Sequence, residues 1–231
     1  MGDGPRSYTA AMQLLLIRHG QSAANVAGIL ETRAPGPGLT ALGMAQADAL
    51  PAVLLKHKID GVYASALMRT QLTAVPLSGS RTLETVVLPG LHEIGAGDLE
   101  GTKDPAETAR YIATISAWLH GDLDARMPGG ADGNAFLERF DDSVAKIAAA
   151  HPGGMAVAFS HGAAIRAWTA LRATGTPSKA AAAGELHNTA GVTLVGDPDT
   201  GWRITSWSAN ALGGAHLDGP KSKDITGHHP L

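Results

Sequence analysis

The 231-residue chain contains no cysteine, which excludes disulfides, thiolate metal centres and cysteine nucleophiles from the outset. Charge is sparse, at 17% Asp, Glu, Lys and Arg, and nearly balanced, with a formal net charge of −3. No global basic field therefore exists to condense on nucleic acid or an anionic membrane, and any anion binding must come from a local cluster. Long apolar runs are missing too. Leu14 to Ile17 and Met155 to Phe159, among the longest, fall far below the roughly 20 residues that span a bilayer. A signal peptide is not expected either, because Gln13 and Arg18 interrupt the apolar stretch after Arg6 and no small-residue cleavage region follows. These absences predict a cytoplasmic protein with neither nucleic acid nor a membrane as partner. The chain has 10 histidines but no His-Glu-x-x-His, and His216, His228 and His229 lie in or beside a surface tail, so no metal is expected.

At 44% hydrophobic residues the chain can bury one substantial core, and a single domain over residues 1–231 is expected. The core runs from about residue 12 to 218; the small, polar, Gly/Pro-containing ends, 1–11 and 219–231, are expected to fray or lie on the surface. Short apolar runs alternate with helical patterns. Strands are expected at Met12 to Ile17, Gly61 to Ala64, Glu84 to Leu88 and Met155 to Phe159. Helices are expected over Ala41 to Lys58, capped by Thr40 and interrupted by Pro51, then Leu67 to Leu77, Pro105 to Leu119, Asn134 to Ala150 and from Ser160-His161-Gly162 to Ala173. Ala190 to Val195 and Trp202 to Trp207, joined by Gly-Asp-Pro-Asp-Thr-Gly, read as an antiparallel hairpin. Together they predict an α/β fold, a mainly parallel sheet with one antiparallel strand and helices on both faces.

Two strands stop abruptly at small polar motifs. Arg18-His19-Gly20-Gln21-Ser22 follows the first, and Ser160-His161-Gly162 follows another. Both histidines would reach the carboxyl edge of the sheet, where ligands bind in such folds. Arg18 offers a planar fork of donors suited to phosphate, and Gly20 lets a ligand approach the backbone. Arg69 would bring a second guanidinium to the same edge; taken alone it reads as a solvated helix charge.

The run Leu16 to Ser22, with Asn25 following, resembles the signature of the histidine phosphatase superfamily, in its phosphoglycerate mutase-like branch. Leu39-Thr40 with Gly43 and Gln46-Ala47, Ser65 to Ala74, Leu91 to Ile94 with Gly97 to Gly101, and Phe159 to Arg166 resemble further segments of that family in the same order. The resemblance implies that His19 attacks phosphorus to give a phosphohistidine. Glu93 would then protonate the leaving alkoxide, and Arg18, Asn25, Arg69, His161 and Gly162 would hold the phosphoryl oxygens without a metal or other cofactor. Without the family register, Glu84, Glu100 and Glu107 compete with Glu93 for the acid's role. The sequence departs from the family at Ala24, at Gly95-Ala96 and at Pro128 to Gly133.

A phosphatase acting on a small phosphorylated substrate is the favoured reading. The alternatives are a 2,3-bisphosphoglycerate-dependent-type phosphoglycerate mutase and a catalytically silent binding module, and a homodimer is left open. The mutases carry a longer basic lid, whereas Gly101 to Arg126 holds only Lys103, Arg110 and Arg126 as bases. Val26 to Pro37 and Gly101 to Gly133 are expected to line a pocket with few specific handles.

Overall fold

The computed structural model describes residues 11–175, 184–219 and 225–228. β1 (Met12–Arg18) is the hub of a seven-stranded sheet ordered β3-β2-β4-β1-β6-β7-β5, with β2 at Gly61–Ala64, β3 at Thr85–Val87, β4 at Met155–Ser160, β5 at Ala173–Thr174, β6 at Gly191–Asp197 and β7 at Gly201–Ser208. β6 alone runs against its neighbours, antiparallel to both β1 and β7, while β1, β2, β3 and β4 are mutually parallel. This is the mainly parallel sheet with one antiparallel strand that the alternation predicts.

The two-residue period of a strand explains why β1 and β4 read as continuous apolar runs. Leu14, Leu16, Ala156 and Ala158 enter one core, whereas Leu15, Ile17, Val157 and Phe159 enter a second core on the opposite face. The register pairs Arg18 with Ser160 and Ala64 with Phe159, so three parallel strands end level with one another. His19, Ser65 and His161, each the next residue along, emerge at one edge.

Among the described residues, six helices connect and cover the strands: α1 (Ala23–Ala27), α2 (Ala41–Val53), α3 (Met68–Arg81), α4 (Pro105–Leu119), α5 (Gly133–Ala150) and α6 (Gly162–Arg172). Thr40 caps α2 by accepting from the Gly43 amide at 3.0 Å, as expected, but the helix ends at Val53 rather than Lys58. Pro51 lies inside the last turn, and the chain then tightens through Leu55 N–H to Ala52 O and His57 N–H to Leu54 O. α3 overruns its expected end at Leu77, passing Pro76 until Thr82 takes a left-handed conformation at φ 54°. At the departure from the family over Pro128 to Gly133, Asp132 caps α5 by accepting from the Ala135 amide at 3.0 Å. The β6–β7 turn is an Asx turn in which Asp197 Oδ1 accepts from the amides of Asp199 and Thr200.

The expectation of a fraying or surface tail is not met at Ile225–His228. The tail from residue 219 contains Ile225–His228, a helical turn packed inward: Ile225 is 5% exposed, and the Gly227 carbonyl accepts from Leu186 N–H at 3.0 Å. Its composition signalled a surface, but Ile225 joins the main hydrophobic core as an isolated apolar residue, and Thr226 and Gly227 meet the Arg18 and Arg166 side chains and the Leu186 backbone, contacts that hydrophobic patterning does not register. Residues 1–10, 220–224 and 229–231 lie outside the described set. Among the described residues no helix is long and apolar enough to cross a membrane.

Candidate active site

His19 continues β1 by donating its amide hydrogen to Ser160 O at 3.0 Å and is 2% exposed. Its Nδ1 lies 2.7 Å from Gly20 O. A carbonyl only accepts, so Nδ1 carries the ring hydrogen and Nε2 bears the lone pair. Arg69 Nε donates to that Nε2 at 3.1 Å. Burial, followed by the guanidiniums of Arg69 and Arg18, holds the His19 pKa well below its usual value and keeps the ring neutral. The loop is pinned from α3, where Thr73 Oγ1 accepts from the Gly20 amide at 2.9 Å and donates to Arg69 O at 2.6 Å. A Cβ on Gly20 would meet Gly43 O at 2.6 Å, so glycine is required there by close approach of α2.

The His161 ring stands 5.2 Å from that of His19, centroid to centroid, and is fully buried. Its Nε2 pairs with Ser65 Oγ at 2.8 Å, while its Nδ1 has no hydrogen-bond partner among the described residues. Burial first, then the Arg69 charge, depresses its pKa as well.

Glu93 is 4% exposed and sits on the N-terminus of α6. Oε1 accepts from Ile94 N–H at 2.9 Å and Ala164 N–H at 2.8 Å, and Oε2 from Ala163 N–H at 3.3 Å. The carboxylate thereby satisfies amides that the first turn of a helix cannot pair internally, at a terminus where His161 makes no side-chain cap. Burial pushes its pKa up, against the opposing pull of the Ile94 amide, Arg69, the Ala164 amide and Arg18. The rival acids are engaged elsewhere or exposed. Glu100 accepts from the backbone amides of Thr32 and Arg33, Glu107 takes the Thr102 hydroxyl, and Glu84 is exposed.

His19, Asn25, Arg69 and Glu93 line one cavity, with Ser22, Ala24, Ile29, Glu31, Ile225 and Thr226 completing it. Asn25 is held in a capping box with Ser22, and its Oδ1 also accepts from Asn188 Nδ2 at 3.2 Å. Arg18 and His161 stand behind this lining. Arg18 Nη1 donates to Leu186 O at 2.8 Å and Nη2 to Thr226 Oγ1 at 3.3 Å. Gly162 lies against the same turn, since a Cβ there would be 2.6 Å from Thr226 O and 3.1 Å from Arg18 Nε. The expected wall from Gly101 to Gly133 does not line the cavity. α4 in that segment turns Tyr111, Ile115 and Trp118 into the core, and Ile225 and Thr226 take its place.

Of the segment Val26 to Pro37, expected to line the pocket, Ile29 and Glu31 do so, though Glu31 was not singled out, and sequence reasoning missed Asn188, Thr226 and Arg139. Arg139, on α5, donates to the carbonyls of Gly90 at 2.6 Å, His92 at 2.9 Å and Glu93 at 2.9 Å, and so fixes the backbone that carries Glu93. Its one sequence signal is its place beside the apolar stripe of Phe136 and Phe140, both buried.

Residues 14–210 match the family model described as histidine phosphatase superfamily, branch 1. The chain is 34% identical over 217 residues to the PE-PGRS family protein PE_PGRS11 of Mycobacterium tuberculosis, the match covering 87% of this chain and 37% of that protein. It is 31% identical over 199 residues to a metal-independent phosphoserine phosphatase of Arabidopsis thaliana, covering 85% of this chain and 81% of that protein. Among solved structures, a mycobacterial glucosyl-3-phosphoglycerate phosphatase superposes with a TM-score of 0.71 at 28% identity, covering 87% of this chain and 100% of the other.

Proposed function

The chain belongs to the histidine phosphatase superfamily, and from that membership we propose that it hydrolyses phosphate monoesters of small molecules through a phosphohistidine on His19. The observation that carries this reading is the unprotonated Nε2 of a neutral His19, its Nδ1 tied to Gly20 O and its lone pair accepting from Arg69 Nε until a phosphoryl group draws that guanidinium away, in a cavity shared with buried Glu93. In the first step Nε2 forms a bond to phosphorus as the ester oxygen departs with the Glu93 proton. In the second, the Glu93 carboxylate takes a proton from water as that water displaces His19 and releases phosphate. Arg69 holds phosphoryl oxygens from the cavity wall and His161 offers Nδ1 toward the same group, assisted by Asn25 and the Gly162 backbone. Arg18 contributes positive field from behind, and direct contact with phosphate requires its guanidinium to leave Thr226.

The test is phosphate release from a panel of monoesters in the presence of EDTA, with acid-labile, base-stable phosphate trapped on the protein. His19→Ala is expected to abolish both. Isomerisation of 3-phosphoglycerate without phosphate release would favour the mutase, and absence of turnover with every ester the silent binding module. Loss of turnover in EDTA would overturn metal independence. A cytoplasmic location and a homodimer complete the proposal, checked by fractionation and by sedimentation.

A further inference from the structure

The cavity contains a carboxylate that the proposed chemistry does not use. Glu31 lines it beside Arg69, together with the apolar Ala24, Ile29 and Ile225, residues left for the organic part of a phosphate ester to meet. We propose that Glu31 selects the leaving group: it favours monoesters bearing hydroxyls, as polyol and sugar phosphates do, and turns away those bearing a carboxylate close to the ester. The inference rests on the phosphatase reading and deepens it.

The mounting of Glu31 argues for a fixed contact. On one side Leu30 exchanges backbone hydrogen bonds with segment 101–102, at 3.0 Å from Leu30 N to Thr102 O and 2.7 Å from Gly101 N to Leu30 O. On the other, Glu100 accepts from the Thr32 amide at 2.7 Å and the Arg33 amide at 3.1 Å. The Glu31 carbonyl itself accepts from Arg69 Nη2 at 3.1 Å. Gly36, at φ +64°, folds the following loop so closely that a Cβ there would lie 2.9 Å from both Arg69 Nη1 and Glu31 Oε1. These bonds fix the Glu31 backbone at the cavity wall, so the carboxylate moves only by rotation of its own side chain.

The charge balance sets the preference. Among the described residues lining the cavity Arg69 is the one permanent cation, and a phosphate dianion engages it. A second anion on the substrate would then face Glu31, and like charges brought together at this half-buried wall repel. A hydroxyl meets a hydrogen-bond acceptor instead. Partial burial, aided by the nearby Glu100 charge and opposed by Arg69, raises the Glu31 pKa.

sn-Glycerol 3-phosphate and 3-phosphoglycerate share a skeleton and differ in a hydroxymethyl against a carboxylate. The ratio of their kcat/KM values is independent of the fraction of active protein, so incomplete folding of a variant does not distort it. The native protein is expected to favour glycerol 3-phosphate by about tenfold or more, and Glu31→Gln to narrow the ratio by at least about threefold, chiefly through the KM for 3-phosphoglycerate. An unchanged ratio in Glu31→Gln would mean that Glu31 only steadies Arg69 and would overturn the proposal, as would a native preference for 3-phosphoglycerate. If no ester, p-nitrophenyl phosphate included, is turned over, the phosphatase reading fails instead. The affinity ratio of the two compounds, read by thermal-shift titration of native and Glu31→Gln protein, then decides the role of Glu31 by the same criterion.

Discussion

Acidification from pH 8 to pH 5.5 is expected to destabilise the fold through imidazoles that the native state keeps neutral. His19 and His161 are fully buried beside Arg69 with depressed pKa values, and partly buried His92 is lowered to about 4, by burial and then Arg139. In the unfolded chain each returns to about 6.5 and takes up a proton over this interval, while its native counterpart does not. Stability is therefore present above the unfolded value and lost as pH falls below it. The loss is about 1.4 kcal/mol per histidine at pH 5.5, or about 4 kcal/mol for three, with the His92 share an upper bound because that ring is partly exposed. Glu93 has the opposite sign: its folded pKa is raised, so protonation stabilises the native state as pH falls through that value and trims the net loss. The histidine share of about 4 kcal/mol corresponds to roughly 8 to 16 °C in Tm for a chain of this size, before the Glu93 contribution is taken off. Urea unfolding at a series of pH values, on native protein and on His92→Gln, measures the slope and the share of one ring. Stability that is flat or rising from pH 8 to 5.5 would refute the reasoning.

Arg139→Ala removes three donors from the backbone around Glu93 and is expected to lower kcat by about tenfold or more with little change in KM, with Arg139→Lys recovering part of the loss; steady-state kinetics on one ester reads both. Gly227→Ala would place a Cβ 1.8 Å from Arg18 Nη1, so the Ile225–His228 turn should be displaced, increasing amide exchange at Leu186 and costing about 1 to 3 kcal/mol in urea unfolding. Ser65→Ala takes the partner from His161 Nε2 and is expected to weaken inorganic phosphate binding by about tenfold, measured by calorimetry, without altering the His19 tautomer seen by nitrogen NMR.

Most of the sheet was legible because β1, β2 and β4 are buried on both faces and announce themselves as uninterrupted apolar runs. Their ends were legible as well, since Arg18-His19-Gly20 and Ser160-His161-Gly162 break those runs with residues no core would accept unpaired. Helix ends were less so, because α3 tolerates Pro76 and stops only where Thr82 turns left-handed. The cavity wall was the least legible part. Glu31 reaches it through backbone bonds to Glu100 and segment 101–102, and Thr226 through contacts with Arg18, across sequence distances that no local pattern encodes. Arg139 escaped notice for the same reason, since what it holds is main chain.

The bond between Glu93 and α6 ties the proton inventory of the cavity to a secondary-structure end. Whenever the carboxyl is protonated it becomes a poorer acceptor, and the amides of Ala163 and Ala164 lose part of what satisfies them. The first turn of α6 should therefore loosen and tighten once per catalytic cycle. The amide of Ala163, on the longer of the two bonds at 3.3 Å, becomes an internal gauge whose chemical shift and exchange rate follow the charge on Glu93 without any label placed in the cavity.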